Sequence, residues 1–147
     1  MGYEISARLP AGEYWIGDPC YVLTKANGFN WDRILTQTNC LRGGTIGSKG
    51  DGGLFHYIDP DSHSDVTFFV SSTEYGDGCF RDGEDNEYGV DAGCLACIPL
   101  KAITGTEAEG GGLLYAGHVH KMESSFYCET KDEDGEIRFG HVRIATG

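Results

Sequence analysis

The chain has 147 residues, 39% hydrophobic and 12% aromatic, which suffices for one domain with a hydrophobic core and no help from disulfides or metals. It carries 23 acidic residues against 11 basic ones, a net charge of −12. That charge repels phosphate backbones, which argues against nucleic-acid binding, and it suits a basic protein partner or divalent cations.

Gly is abundant, with 23 residues scattered between short apolar stretches, a pattern of many short strands joined by tight turns. Tyr3, Ile5 and Ala7 alternate with polar residues and predict a first strand, turned at Leu9-Pro10. Glu13 to Ile16 predicts a second, after which Gly17-Asp18-Pro19 turns the chain into Cys20 to Leu23. A short α-helix is predicted at about residues 31–41. Asn30 caps it, Trp31, Ile34, Leu35, Thr38 and Leu41 recur at helical spacing, and Gly43-Gly44 stops it. Leu54 to Ile58 and Val66 to Ser71 read as strands flanking the turn Asp59-Pro60-Asp61-Ser62-His63. Glu87 to Asp91 leads through Ala92-Gly93 into Cys94 to Leu100, and a strand is expected from Leu113 to Met122. Ser125 to Thr130 and Glu136 to Ala145 flank Asp132-Glu133-Asp134-Gly135, a hairpin signal because Asp-Gly tolerates positive φ. The expected fold is mainly β: a single domain over residues 1–147, a compact antiparallel β-sandwich or open barrel with one helix packed on it.

Carboxylates are densest between Glu74 and Asp91. Asp77, Asp82, Glu84, Asp85 and Asp91 are the candidate binding residues, for a basic partner or a divalent cation. The competing reading is a solvated hairpin in which Asp side chains accept from local backbone N–H groups. Cys94 and Cys97 have zinc-knuckle spacing, and His118, His120 and Cys128 could complete a site. On a strand, however, residues three apart face opposite sides, so the expectation is two core cysteines and no metal. His118 and His120 share a strand face, which reads as a polar face turned to solvent. The Gly43–Gly50 stretch lacks the P-loop order and reads as a flexible loop. Trp15, Tyr21, Trp31, Phe68, Phe69, Phe80 and Tyr88 are expected to fill the core. No catalytic residue is assigned, since no nucleophile elbow or other trusted catalytic motif is present.

Residues 11–41, with GEYWIGDPCYVL and the Trp-bearing helix, and residues 73–100, with YGDG-C-F-x-D, EYGVDAG and a strand ending in Ile-Pro-Leu, resemble a loose set of small uncharacterised proteins of bacteriophages, prophages and bacteria. The VDAG element is similar to one in a bacterial family of unknown function. The resemblance implies a shared fold, with Gly17-Asp18-Pro19 and Asp91-Ala92-Gly93 as turns, and a phage or bacterial origin. It implies no activity.

The leading functional expectation is a non-enzymatic acidic protein that engages a protein partner in an inhibitory or neutralising role. One alternative is a virion or assembly component, acting as a homo-oligomer. Another is a small-molecule or nucleotide-signal binder whose phosphate contacts would come from Arg33, Arg42, Lys49 and Arg81. No cofactor is expected. No apolar run approaches the ~20 residues needed to span a bilayer, and Met1–Pro10 has no signal-peptide core. The expected location is the cytoplasm of a bacterial host cell, with the virion as the alternative.

Overall fold

Short stretches of alternating burial, punctuated by glycine, put about half of the described residues into strands. A computed structural model describes residues 5–46, 51–74, 76–103 and 117–147. In chain order the strands are β1 Ser6–Leu9, β2 Gly12–Gly17, β3 Asn39–Gly43, β4 Gly53–Ile58, β5 Asp65–Ser72, β6 Gly78–Asp82, β7 Glu87–Val90, β8 Cys94–Pro99, β9 His118–Met122, β10 Phe126–Glu129, β11 Glu136–Phe139 and β12 Val142–Ala145. One α-helix, α1 Trp31–Gln37, lies between β2 and β3, and single 3₁₀ turns occupy Pro19–Tyr21, Lys25–Asn27 and Leu100–Ala102.

The strands form two antiparallel six-stranded sheets, ordered β1-β10-β11-β12-β6-β7 and β3-β4-β5-β8-β2-β9. The sheets stack as a sandwich, with no closed barrel among the described residues. At one side β1 lies against β3 and β4; at the other, β7 lies against β2. Period-two alternation gives the second sheet two buried faces. Its inner face supplies Tyr14, Ile16, Phe69, Leu95 and Cys97 to a core shared with Cys128, Ile137, Phe139 and Ile144 of the first sheet. Its outer face carries Trp15, Phe55, Phe68, Val70 and Ile98, roofed by the 3₁₀ turns, α1 and Ile103. The cysteine spacing plays out as strand geometry requires: Cys97 lies in the inner core and Cys94 in the outer one. All six cysteines are free.

Two expected element bounds, those of the helix and of Glu136 to Ala145, need correction. The helix ends at Gln37, well short of residue 41. Thr38 is extended and its hydroxyl donates to the His56 carbonyl at 3.0 Å, so the chain turns into β3. Leu41 thus lies on an exposed edge strand. Cys20 and Tyr21 belong to a 3₁₀ turn, which Asp18 caps and Pro19 begins, as its fixed φ favours. Glu136 to Ala145 is two strands, because Gly140 at φ 63° opens a two-residue hairpin loop between Phe139 and Val142. Of the expected core aromatics, Trp15, Phe68, Phe69 and Tyr88 are fully buried, while Tyr21, Trp31 and Phe80 are half-buried. Tyr3, Lys49 and residues 113–116 lie outside the described residues.

Candidate functional site

The hairpin β6–β7 carries the five candidate carboxylates and divides them into three settings. Glu84 and Asp85 are exposed at its tip, where Asp85 takes a left-handed φ of 65°. Asp77 and Asp91 are exposed at its open end, about 15 Å away at the usual strand rise. Asp82 points inward and is spent on the hairpin itself. It accepts from the Glu84 N–H at 2.8 Å, the Asn86 N–H and Nδ2 at 3.1 Å each, and the Tyr88 hydroxyl at 2.6 Å. Burial pushes the Asp82 carboxyl up, but the bonds from Tyr88, Asn86 and Glu84 outweigh it and hold the group below the ordinary carboxylate range.

A buried carboxylate that the sequence signals only as a turn residue ties together the two most distinctive motifs. Asp18 is fully buried. One oxygen accepts from the Cys20 N–H at 3.0 Å; the other accepts from the N–H groups of Asp91 and Ala92 at 2.6 and 2.7 Å. The GDPCY and VDAG turns are therefore one junction, held by a residue more than seventy positions from its partners. Asp91 does not cap its own turn; its carboxylate accepts from the Tyr21 hydroxyl. Burial, then the hydrogen bond and charge of Asp18 and the charges of Asp91 and Asp77, push the Cys20 thiol up, away from the reactive thiolate.

Beyond this junction several acidic loops converge. The Thr73 N–H donates to Gly93 O, the Glu74 N–H to Thr146 Oγ1 at 2.9 Å, and Thr146 Oγ1 to Gly135 O at 2.6 Å. One end of the sandwich thereby presents Glu74, Asp77, Asp91, Glu133 and Asp134, all exposed, with Asp132 and Glu136 beside them. Lys131 lies among them, 3.6 Å from Glu74.

At the β7–β9 side, His118 and His120 are half-buried and turned toward β7, in place of the solvent-facing arrangement expected; Val119 is the exposed residue between them. His118 Nε2 lies 2.7 Å from the Glu87 carbonyl and His120 Nε2 lies 3.1 Å from the Tyr88 hydroxyl. The ring of His141, from the β11–β12 loop, stands 6.1 Å from that of His120. His141 and Asp18 carried no sequence signal for these roles, because their partners are set by the stacking of the two sheets.

Of the cations proposed for phosphate contacts, the three arginines each have a separate partner. Arg33 on α1 pairs with Asp59 and Asp61 at 3.5 and 3.0 Å, Arg42 on β3 donates to Ser6 O at 2.6 Å, and Arg81 on β6 pairs with Glu87 at 3.3 Å. Lys49 lies outside the described residues. A groove of about 770 Å³ opens between the β1–β2 turn, the start of β5 and Pro99–Ala102, with Glu13, Asp65 and Lys101 among its walls. Among the described residues no group of three or more His, Cys, Asp or Glu is placed to hold a metal ion, and no helix is long and apolar enough to cross a membrane. No protein-family model, curated protein or solved structure matches the chain.

Proposed function

We propose that this is a non-enzymatic binding protein of phage or bacterial origin, whose acidic end holds a basic surface of a protein partner in an inhibitory or neutralising role. The supporting observation is the convergence of Glu74, Asp77, Asp91, Glu133 and Asp134 at one end, while the buried carboxylates Asp18, Asp59 and Asp82 are used up internally. A field of one sign steers an oppositely charged partner, and salt weakens that steering. Capture of partners on the immobilised protein tests the reading, in the cytoplasm of a bacterial host. A basic protein should bind at low ionic strength, elute as salt rises, and bind less to the D77N/D91N and E133Q/D134N variants. No partner at low ionic strength would sink the reading.

The groove beside β5 supports a second reading, a small-molecule site. The arginines engaged elsewhere make a nucleotide phosphate a poor occupant. A ligand that binds only the folded state raises Tm. A thermal-shift screen in which compounds stabilise the wild type but not Lys101→Ala would support this site, and a screen without stabilisers would remove it.

A further inference from the structure

Side chains alone hold the two sheets together across the inner core, and two of them are thiols. Cys97 of β8 and Cys128 of β10 come from opposite sheets and are fully buried, and their thiols share a hydrogen bond. Two neighbouring contacts fix the sheets around them. Cys97 pairs in register with Phe69 and Cys128 with Phe139, and the Phe69 and Phe139 rings meet edge to face at 6.2 Å. Along the strands, Tyr14 lies two residues from Ile16, the other partner of Cys97, and Phe126 lies two residues from Cys128. The Tyr14 and Phe126 rings meet at 5.0 Å. The thiol pair is thus flanked by aromatic contacts that run from one sheet to the other. No other cysteine lies in this core: Cys94 belongs to the outer one, Cys20 is half-buried, and Cys40 and Cys79 are exposed.

We propose that Cys97 and Cys128 are a disulfide site: when the chain folds in the presence of oxidised glutathione, they bridge the two sheets and stabilise the sandwich. One cysteine thiolate attacks the glutathione disulfide, forming a mixed disulfide and releasing one glutathione. The second cysteine thiolate then attacks the protein sulfur of that mixed disulfide and releases the other glutathione. The protein loses two hydrogens and gains one S–S bond, while the S–S bond of glutathione is reduced to two thiols. A disulfide needs its two Cα atoms within about 7 Å. Sulfurs already in contact across the core reach that geometry by side-chain rotation and a small approach of β8 and β10. The timing follows from burial. The closed core excludes glutathione, and burial, then the neighbouring Cys128, pushes the Cys97 thiol up, away from the nucleophilic thiolate. The bridge therefore closes while the core is forming. It joins residues about thirty positions apart, and it stabilises by restricting the unfolded chain.

Refolding from guanidinium in a mixture of reduced and oxidised glutathione tests the site, followed by alkylation of free thiols and peptide mapping without reductant. Cys97 and Cys128 should appear in one disulfide-linked peptide pair that reductant separates. The bridged chain should melt about 5–10 °C above the reduced chain, given the loop closed and the length of the chain. Cys97→Ala and Cys128→Ala, refolded in the same mixture, should melt no higher than when refolded in reductant. Free thiols at both positions after refolding would overturn the proposal, as would a bridge from either one to another cysteine. A bridged chain that melts no higher than the reduced one would overturn it as well. If the alanine variants do not fold, the wild-type peptide map and the two wild-type melting temperatures decide.

Discussion

Two aspartates show how differently one residue type can be used at adjoining turns. Asp18 satisfies three backbone N–H groups with two oxygens, whereas Asp91 touches the Tyr21 hydroxyl at the surface. Asp18→Ala should cost about 3 kcal/mol or more, since buried donors left unpaired cost about 1–3 kcal/mol each. Asp18→Asn should also be harmful, because one amide oxygen cannot serve both the Cys20 and the Asp91-Ala92 sides. Asp91→Ala should stay within about 1 kcal/mol of the wild type. Urea unfolding midpoints of the three variants check this; an Asp91 variant as damaging as the Asp18 variants would mean that the junction is misassigned. Asp82 adds a pH dependence. Its carboxyl is held below its unfolded value, so its stabilisation is fully present above about pH 4 and is lost as pH falls through the folded value. Asp82→Asn should therefore lower stability at pH 7 and flatten the acid limb of the stability curve below about pH 4; an unchanged acid limb would rule this out. The turn role of Asp82 was legible from its neighbouring Gly83, because it is a local bond. The role of Asp18 was not, since its partners Asp91 and Ala92 lie more than seventy positions away and are brought to it by the fold.

The period of the side chains made the strands legible, and the same logic explains the failures. Cys94 and Cys97 diverge because a strand has period two, whatever their zinc-like spacing. Helical spacing from Trp31 to Leu41 over-extended α1, since Thr38 and Cys40 fit a strand equally well and pairing with β4 decides the matter. β3 is exposed along its length, so no apolar alternation marked it. The helix anchors through Ile34, which is fully buried, while Trp31 is half-buried against the same outer core. Ile34→Ala should cost about 2–4 kcal/mol, and Trp31→Ala less, about 1–2 kcal/mol. Thermal or urea unfolding of both checks the ranking. The reverse order would place the helix rotated about its axis, with the indole inside.

At the scale of the molecule, the charge of −12 is less telling than its placement. Sequence position alone puts Glu74, Asp91 and the Asp132–Asp134 run far apart; the hydrogen bonds through Gly93, Gly135 and Thr146 bring them to one end. Gathering like charges there costs stability, and the cost depends on screening. The Debye length falls from about 30 Å at 0.01 M salt to about 10 Å at 0.1 M, so repulsion between loops, more than direct contacts, is removed over that range. Tm should therefore rise between these two salt concentrations. Glu133 and Asp134 are exposed, and neither side chain bonds the turn, whose cap is Asp132 accepting from the Asp134 and Glu136 N–H groups. Neutralising them as E133Q/D134N should raise Tm at low salt by about 1–2 °C, a size suited to small surface charge effects in a chain of this length. The same variant should respond less steeply to salt, because part of the repulsion that salt screens has already been removed. A Tm that is flat with salt, or a variant less stable at low salt, would show that these carboxylates are balanced by nearby cations such as Lys131 and do not form a field that a basic partner could relieve.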